Sequence, residues 1–343
     1  GPSVRDLMGI MYTSGTTGAS KGVMVTHAHA FKYAQTVGGI HGVLADDVFY
    51  SSGLPMFHIA GQWGVVYSSM IYGATACIRN GYRNEYFWSD IREQGGTVVF
   101  LLGAIANFLW QQPPRADDAD SPLIKVGMFP VIPEHAAFAD RFGVKIATGY
   151  GSTENPGGFV HHFDDPFPTN QCVGYPADGV QASIRDENDC ECANGEMGES
   201  CVRHDTPWTI MRGYWNQAEA TATAFRNLWF HTGDAGYRDD EGRYYFVDRL
   251  TDSMRRRGEN VSSMEVEDEI NQYPAVLECA VFPVWDEHTE QEIMTVIVPK
   301  GDAVLEPEAL ITFLNDRLPY FMIPRYVAVV DEIPKTPTGK IQK

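Results

Sequence analysis

A loop rich in glycine, serine and threonine, near the start of the chain, constrains the fold most. Residues 12–22 read Tyr-Thr-Ser-Gly-Thr-Thr-Gly-Ala-Ser-Lys-Gly and lie between two apolar runs, Leu7 to Tyr12 and Val23 to Val25. The first run predicts a buried strand. Glycine lets backbone N–H groups approach an anion closely, hydroxyls donate to phosphate oxygens, and Lys21 adds positive charge. The stretch therefore predicts a polyphosphate-binding loop.

This loop differs from the Walker form, in which Gly-Lys-Ser/Thr opens a helix. Here Lys21 follows Ser20, and an apolar triplet comes next, so hydroxyls and Lys21 would hold the phosphates without an evident helix dipole. A polar surface loop is the alternative interpretation. The order of the eleven residues resembles the phosphate-loop signature of the adenylate-forming superfamily, which comprises acyl-CoA synthetases, peptide-synthetase adenylation domains and beetle luciferases.

Two further motifs carry the same resemblance. Residues 148–154 read Thr-Gly-Tyr-Gly-Ser-Thr-Glu after a predicted strand, and they match the family pattern aromatic-Gly-x-Thr-Glu. Residues 334–341 read Pro-Lys-Thr-Pro-Thr-Gly-Lys-Ile, and they match a third signature whose final lysine is catalytic. The three motifs occur in the family order, and the resemblance covers nearly all of the chain.

The resemblance implies a role for each matching residue in binding ATP. Tyr150 would stack on adenine, Asp234 would accept both ribose hydroxyls, and Arg249 would lie near ribose and phosphate. Glu154 would be a ligand of Mg²⁺, which prefers oxygen donors, and Lys340 would bridge the carboxylate substrate and the α-phosphate. The residues assigned to ATP are Thr13, Ser14, Gly15, Thr16, Thr17, Gly18, Lys21, Tyr150, Gly151, Ser152, Thr153, Asp234 and Arg249.

The family position also suggests which residues meet the acid and coenzyme A. A histidine in an apolar stretch is usually a core residue, but the resemblance favours a catalytic, acid-facing role for His58. The residues expected to face the acid are His58, Met128, Phe129 and Gly149, while Trp63 and Phe100 are expected in the core. The run Arg255 to Arg257 is either a solvated face or a contact with coenzyme A phosphates. Arg257 and Gly258 are the residues assigned to coenzyme A.

Alternating short strands and helices predict an open α/β sheet, on which ligands bind at the carboxyl ends of strands. We expect an α/β part of the large adenylation domain at 1–155, within a sandwich of open sheets. A β-rich subdomain is expected at 156–248, a hinge at 249–252 that includes Thr251, and a small C-terminal α+β domain at 253–343. With 343 residues, 44% of them hydrophobic, the chain is long enough for such a core.

Local signals place three smaller features. Thr26 is predicted to cap a helix that runs to about Gly38, and Ser262 to Glu265 form a capping box. The run Gly213-Tyr214-Trp215 resembles a family marker and is interpreted as a turn with packing rather than chemistry. Cys190-Glu191-Cys192 is either half of a metal site or a pair of exposed turn cysteines, and the second interpretation is favoured.

Composition limits the partners. A net charge of −19 repels nucleic acid and anionic lipid. The six cysteines show no disulfide spacing, which favours a reducing, cytoplasmic setting, and the sequence shows neither a signal peptide nor a membrane-spanning run. The partners that we expect are a small carboxylic acid and coenzyme A, and homodimer formation stays open.

The expected activity is ATP-dependent formation of an acyl-adenylate, followed by thioester formation with coenzyme A. Loading of a carrier protein and a non-catalytic nucleotide-binding module are the alternatives. The chain resembles bacterial small-acid ligases of the carnitine/crotonobetaine type most. The absence of an aspartate near His58 disfavours amino-acid activation. Because family members carry a long segment before the phosphate loop, we expect the chain to be truncated relative to them.

Overall fold

A computed structural model of the chain describes residues 1–13, 21–250, 254–256, 259–286, 290–301, 303–336, 341 and 343. These residues form two compact units. The first unit comprises 1–13, 21–232 and 237–246, and the second comprises 233–236 and the described residues from 247 onwards. The domain boundaries inferred from the sequence stay predictions.

The first unit opens with an antiparallel pair of strands, β1 (Leu7–Tyr12) and β2 (Gly22–Thr26). The strand expected at Leu7 is present, but the prediction that it is buried is wrong. Leu7 is 38% exposed and Tyr12 is 66% exposed. The reason is that β1 lies in a two-stranded sheet with β2, and among the described residues no further strand pairs with it.

An eleven-stranded sheet forms the centre of the first unit. In spatial order its strands are β10-β11-β12-β13-β9-β8-β7-β6-β5-β3-β4. The strands β3 to β7 are parallel, whereas β7, β8 and β9 pair antiparallel. The strands are β3 (Val48–Tyr50), β4 (Thr75–Cys77), β5 (Val98–Leu102), β6 (Lys125–Phe129), β7 (Lys145–Tyr150), β8 (Phe159–His161), β9 (Cys172–Pro176), β10 (Val180–Arg185), β11 (Gly198–His204), β12 (Phe230–Arg238) and β13 (Tyr244–Arg249). The strands of the expected β-rich subdomain therefore continue the same sheet.

The described part of the first unit contains six α-helices. They are α1 (His27–Ile40), α2 (Ser68–Tyr72), α3 (Phe87–Gln94), α4 (Gly103–Trp110), α5 (His135–Phe142) and α6 (Ala218–Ala224), with a π-helical segment at Ala60–Tyr67 and a 3-10 turn at Arg226–Leu228. Thr26 caps α1 as predicted, because its side chain accepts a hydrogen bond from the His29 N–H. No helix among the described residues combines the length and the apolar character needed to cross a bilayer.

Side chains alternate between two hydrophobic cores along the parallel strands, since successive residues of a strand point to opposite faces. On β5, Val98 and Phe100 join the core that contains α1, while Val99 and Leu101 join the core beneath α3, α4 and α5. Trp63 belongs to the first of these cores. The prediction that Trp63 and Phe100 are core residues is confirmed.

The second unit is a small α+β assembly. Its elements are β14 (Met254–Arg256), β15 (Glu259–Val261), α7 (Ser263–Asn271), β16 (Val276–Asp286), β17 (Glu290–Pro299), α8 (Pro307–Asn315), a 3-10 turn at Tyr320–Met322 and β18 (Tyr326–Val329). The strand β17 pairs antiparallel with β16 and parallel with β18. Ser262 caps α7 by accepting from the Glu265 N–H at 3.2 Å, as the capping box predicts.

Candidate functional site

The ends of the predicted phosphate loop meet at the open end of the β1–β2 pair. The Thr13 N–H donates to the Lys21 carbonyl oxygen at 3.0 Å, directly beyond the paired residues Tyr12 and Gly22. Lys21 is exposed. The residues predicted between these ends, Ser14, Gly15, Thr16, Thr17 and Gly18, lie outside the described residues, so their contacts with ATP stay predictions.

The second motif forms a tight turn where β7 ends. The Ser152 N–H donates to the Asn155 carbonyl at 2.9 Å, and the Asn155 N–H donates to Ser152 Oγ at 3.2 Å. Gly151 is required in this turn, because a Cβ at that position would lie 2.7 Å from the Gly157 backbone nitrogen. Thr153 is buried, and Glu154 is half-buried. The turn is therefore held by hydrogen bonds between its own residues, and it leaves the Glu154 carboxylate partly exposed.

Tyr214 holds that carboxylate, although the sequence indicated only a structural marker at Gly213-Tyr214-Trp215. The Tyr214 hydroxyl donates to Glu154 Oε1 at 3.0 Å. The Lys21 ammonium lies 4.9 Å from the centroid of the same ring. Burial, followed by the Glu154 charge, raises the pKa of Tyr214, so its hydroxyl stays a donor. A Gly-Tyr pair in a sequence does not reveal such contacts, because both partners lie far away along the chain.

Uncharged polar side chains contact the turn at Asn155. His204 Nε2 lies 2.8 Å from Asn155 Oδ1, and His204 Nδ1 lies 3.0 Å from Thr209 Oγ1. Burial, followed by the charge of Lys32, lowers the pKa of His204 to about 4. Burial also lowers the pKa of the nearby His29 to about 3, with a further contribution from His204. Both imidazoles are therefore uncharged at neutral pH.

Tyr150, the residue expected to stack on adenine, is half-buried at the end of β7. Its ring stacks on Phe246 at a centroid distance of 5.9 Å and is tilted against Phe159 at 5.8 Å. These neighbours fix the orientation of the ring. Stacking of adenine on Tyr150 stays a prediction.

Of the residues expected to face the acid, three are partly accessible. His58 Nδ1 accepts from the Ala60 N–H at 3.2 Å at the start of the π-helical segment. The ring of Phe129 is half-buried and stacks on Phe100 at 4.5 Å. Gly149 is half-buried, and a Cβ there would lie 2.6 Å from the Phe159 carbonyl oxygen, so this position requires glycine.

Met128 needs a correction. Its side chain is fully buried in the core beneath α3, α4 and α5, where its sulfur accepts from the Ile132 N–H at 3.5 Å. The cause is the alternation along β6, which directs Met128 and Phe129 to opposite faces of the sheet. We therefore do not retain the Met128 side chain as a contact of the acid.

In the second unit, the structure brings together the two residues predicted to bind ribose. Arg249 Nε lies 3.3 Å from Oδ1 of the buried Asp234. The neighbouring Asp248 accepts from the Ser263 N–H at 2.6 Å, which ties the end of β13 to the start of α7. The predicted residues Thr251, Arg257, Gly258 and Lys340 lie outside the described residues.

One further group of potential metal ligands occurs among the described residues, namely Glu199, Cys201 and His231 in the first unit. His231 Nδ1 lies 2.7 Å from Glu199 Oε2, and the Arg226 guanidinium lies 2.7 Å from the same oxygen. Because Arg226 already compensates the carboxylate charge, we interpret this group as a structural ion network. Cys190 and Cys192 do not belong to it.

Family comparison agrees with this arrangement. Residues 1–215 match the AMP-binding enzyme family, and residues 265–340 match the AMP-binding enzyme C-terminal domain. The chain therefore belongs to the AMP-binding enzyme family. The resemblance to the adenylate-forming superfamily, inferred from three motifs, is confirmed.

Within this family, the chain is similar to particular coenzyme A ligases. Crotonobetaine/carnitine–CoA ligases of Salmonella arizonae and Proteus mirabilis are each 33% identical to this chain over 342 and 344 residues, covering 98% and 99% of it. The chain spans 66% of the length of these curated relatives. The expected likeness to ligases of this type is confirmed.

Solved structures share the fold. ATP-bound MatB from Rhodopseudomonas palustris superimposes with a TM-score of 0.87 at 26% identity, covering 99% of this chain and 67% of that one. The o-succinylbenzoate coenzyme A synthetase MenE from Bacillus subtilis, in complex with AMP, gives a TM-score of 0.86 at 25% identity, covering 99% and 69%. The predicted α/β fold with a small α+β unit is confirmed.

Proposed function

We propose that this chain carries the site of an ATP-dependent acid–thiol ligase, which converts a carboxylic acid to an acyl-adenylate and then to a coenzyme A thioester. One observation carries the proposal. In the first unit, Tyr214 contacts both Glu154 of the second motif and Lys21 of the first. Two motifs more than a hundred residues apart therefore converge on one residue. The relatives named as coenzyme A ligases support the same chemistry.

In the first step, a carboxylate oxygen attacks the α-phosphorus of ATP, and the bond to the β-phosphate oxygen breaks with release of pyrophosphate. Two anions must approach each other, so the site must supply positive charge and fixed geometry. Lys21, together with Thr13 and the predicted residues between them, would hold the β- and γ-phosphates. Lys340 would bridge the incoming carboxylate and the α-phosphate as a cation.

Mg²⁺ fits the residues at this site. Glu154 offers a hard carboxylate oxygen, and Mg²⁺ is typically held by one or two carboxylates plus substrate phosphates. When bound, the ion would offset phosphate charge. Among residues of this chain, Glu154 would hold it, and the turn 151–153 would position Thr153 near the α-phosphate. Tyr150 would contact adenine, and the pair Asp234 and Arg249 would contact ribose.

In the second step, the thiol of coenzyme A gives up its proton, and its sulfur attacks the acyl carbonyl carbon and displaces AMP. Arg257 and Gly258 are proposed to contact coenzyme A. Thr251 is proposed as the hinge about which the small C-terminal domain moves between the first step and the second. His58, Phe129 and Gly149 are proposed to face the acid. All six cysteines are free thiols, which supports a reducing cytoplasmic setting.

A screen of small carboxylic acids tests the proposal. Each acid is incubated with the chain, ATP and Mg²⁺, with and without coenzyme A, while pyrophosphate, AMP and thioester are measured. We expect acid-dependent pyrophosphate–ATP exchange without coenzyme A, and thioester with it. Exchange without thioester indicates a different acceptor, such as a carrier protein. No exchange and no ATP binding with any acid contradicts the proposal.

A further inference from the structure

We propose that Tyr214 is a positioning residue for the metal-binding carboxylate, and that it couples Glu154 to the phosphate loop through one side chain. The inference rests on the proposed function and names a residue that the sequence motifs do not assign. Its basis is the hydroxyl contact to Glu154 Oε1 at 3.0 Å and the ring contact to the Lys21 ammonium at 4.9 Å.

The backbone around Tyr214 is bound to β2, the strand that leaves the phosphate loop. The Met24 N–H donates to the Gly213 carbonyl at 2.9 Å, and the Trp215 N–H donates to the Gly22 carbonyl at 2.7 Å. Val23 and Tyr214 form an antiparallel bridge between these bonds. The position of Tyr214 is therefore fixed relative to β2, which begins directly after Lys21.

The same segment also holds the main chain of Glu154. The Met211 N–H donates to the Glu154 carbonyl oxygen at 2.9 Å, three residues before Tyr214. Both ends of Glu154, the peptide and the carboxylate, are thus bound by residues 211–214. With Oε1 accepting from the Tyr214 hydroxyl, the carboxylate is restrained, and Oε2 would be the oxygen offered to a metal ion. Carboxylates that bind metals are usually oriented by such hydrogen bonds.

The Tyr214 side chain is itself well anchored. Its backbone N–H donates to Thr221 Oγ1 at 2.9 Å, and its ring is almost wholly buried. The hydroxyl is directed at an anion, while the ring face is directed at a cation, which is the favoured geometry for a cation near an aromatic ring. One anchored side chain therefore contacts both Glu154, proposed to bind Mg²⁺, and Lys21, proposed to bind the β- and γ-phosphates.

Replacement of the hydroxyl alone tests this role. In Tyr214→Phe the ring contact with Lys21 and the packing remain, but the donor to Glu154 is lost. We expect the affinity for Mn²⁺, measured by electron paramagnetic resonance in the presence of a non-hydrolysable ATP analogue, to fall roughly 10- to 100-fold. The Mg²⁺ concentration for half-maximal pyrophosphate exchange should rise by a similar factor, while the affinity for AMP without metal changes little.

Tyr244→Phe is the matched control, because Tyr244 is also buried in the first unit and its hydroxyl donates to the Ala182 carbonyl at 3.1 Å. It should leave the Mn²⁺ affinity unchanged. Tyr214→Leu, which also removes the ring, should weaken binding of the ATP analogue in addition to the metal. These readouts separate positioning from packing, since packing loss alone lowers the melting temperature without a selective change in metal affinity.

The two proposals fail differently. If the unaltered chain and Tyr214→Phe bind Mn²⁺ equally well with the ATP analogue, Tyr214 does not position the metal ligand, whereas the proposed function stands. If the unaltered chain shows neither exchange nor analogue-dependent Mn²⁺ binding, the proposed function is wrong, and this inference is wrong with it.

Discussion

Arg256 Nη2 and Glu292 Oε2 lie 2.6 Å apart in the second unit, where the two side chains are 8% and 0% exposed. Arg256 Nη1 also donates to the carbonyl oxygens of Phe321 at 3.0 Å and Ile323 at 2.8 Å. The three-arginine run suggested either a solvated face or a contact with coenzyme A. For Arg256 neither interpretation is correct, because its guanidinium joins β14 to β17 and to the 3-10 turn that begins at Tyr320.

Loss of the Glu292 charge should destabilise the second unit strongly. Glu292→Gln keeps the size of the side chain but leaves the Arg256 charge buried without its counter-ion, which costs about 3–5 kcal/mol for a buried pair. Hydrogen exchange of β16 and β17 amides, followed by mass spectrometry in a urea series, measures the free energy of opening in the full chain.

The control for this change is Arg325→Gln. Arg325 Nη1 lies 3.3 Å from the other oxygen of Glu292, but its side chain is 45% exposed, so its loss should cost about 1 kcal/mol or less. Equal losses in Glu292→Gln and Arg325→Gln contradict the assignment of Arg256 as the main partner.

Local signals in the sequence were sufficient to predict where helices begin. They were not sufficient to predict which side chains are buried or which remote residues they contact. The caps at Thr26 and Ser262 were predictable because a capping side chain bonds to an N–H three residues further on. The burial of Arg256 depends on Glu292, which is remote in sequence. Side-chain alternation placed Met128 in the core beneath α3, α4 and α5, but the residues alone did not show which of the two cores each face of β6 meets.

In the candidate site, too, some residues could be predicted from the sequence and others could not. The motif residues were identified by their order in the chain, and Glu154 and Asp234 are both seated in ordered hydrogen-bonded or ionic surroundings. Tyr214 was not recognised as part of the site, because its partners Lys21 and Glu154 are brought to it by β2 and by the turn after β7. Such convergence brings together residues beside two separate sheets and is not encoded in any short stretch.

The charge of Glu154 should determine the use of metal. Glu154→Gln retains an oxygen that accepts from the Tyr214 hydroxyl, so the turn should keep its structure, but the neutral amide is a poor ligand for Mg²⁺. We expect the Mg²⁺ concentration for half-maximal pyrophosphate exchange to rise by more than the roughly 10- to 100-fold that loss of an outer-shell partner of a metal ligand typically costs. Glu187→Gln, on an exposed turn, is the control. Normal saturation by Mg²⁺ in Glu154→Gln contradicts its role as a metal ligand.

Removal of the Lys340 ammonium should suppress acid activation. In Lys340→Ala the cation proposed between the two reacting anions is missing, and loss of one such group typically lowers the rate about 10²- to 10³-fold. Acid-dependent pyrophosphate exchange measures the effect, and binding of AMP should persist. Lys335→Ala is the control, because Lys335 is paired with Glu278 at 2.6 Å and should affect stability only slightly. Unchanged exchange in Lys340→Ala rules out the proposed role.

Three histidines with depressed pKa values should make the first unit sensitive to acid. Burial lowers the pKa of His29 to about 3 and that of His204 to about 4, from an ordinary value of 6.5. Burial likewise lowers the pKa of His41 to about 4. Between the folded and unfolded pKa values the unfolded chain binds more protons than the folded chain. The free energy of unfolding therefore falls as the pH decreases below about 6.5, and each histidine contributes roughly 1.4 kcal/mol per pH unit where its proton uptake is complete.

The contribution of one histidine can be isolated by replacing His41, a core residue whose ring also lies against Phe129 at a centroid distance of 5.7 Å. Its Nδ1 is 2.7 Å from the Val37 carbonyl oxygen, and its ring is tilted against Phe49 and stacked on Phe100, so it is a neutral core group. In His41→Gln the midpoint of urea unfolding should decrease at pH 7, because the aromatic packing is lost, but the slope of stability between pH 6 and pH 4.5 should be smaller by about one proton. Glu134→Gln, at a partly exposed position, is the control, and it should leave the slope of stability between pH 6 and pH 4.5 unchanged. An unchanged slope in His41→Gln means that this histidine is protonated in the folded chain, contrary to the depressed pKa.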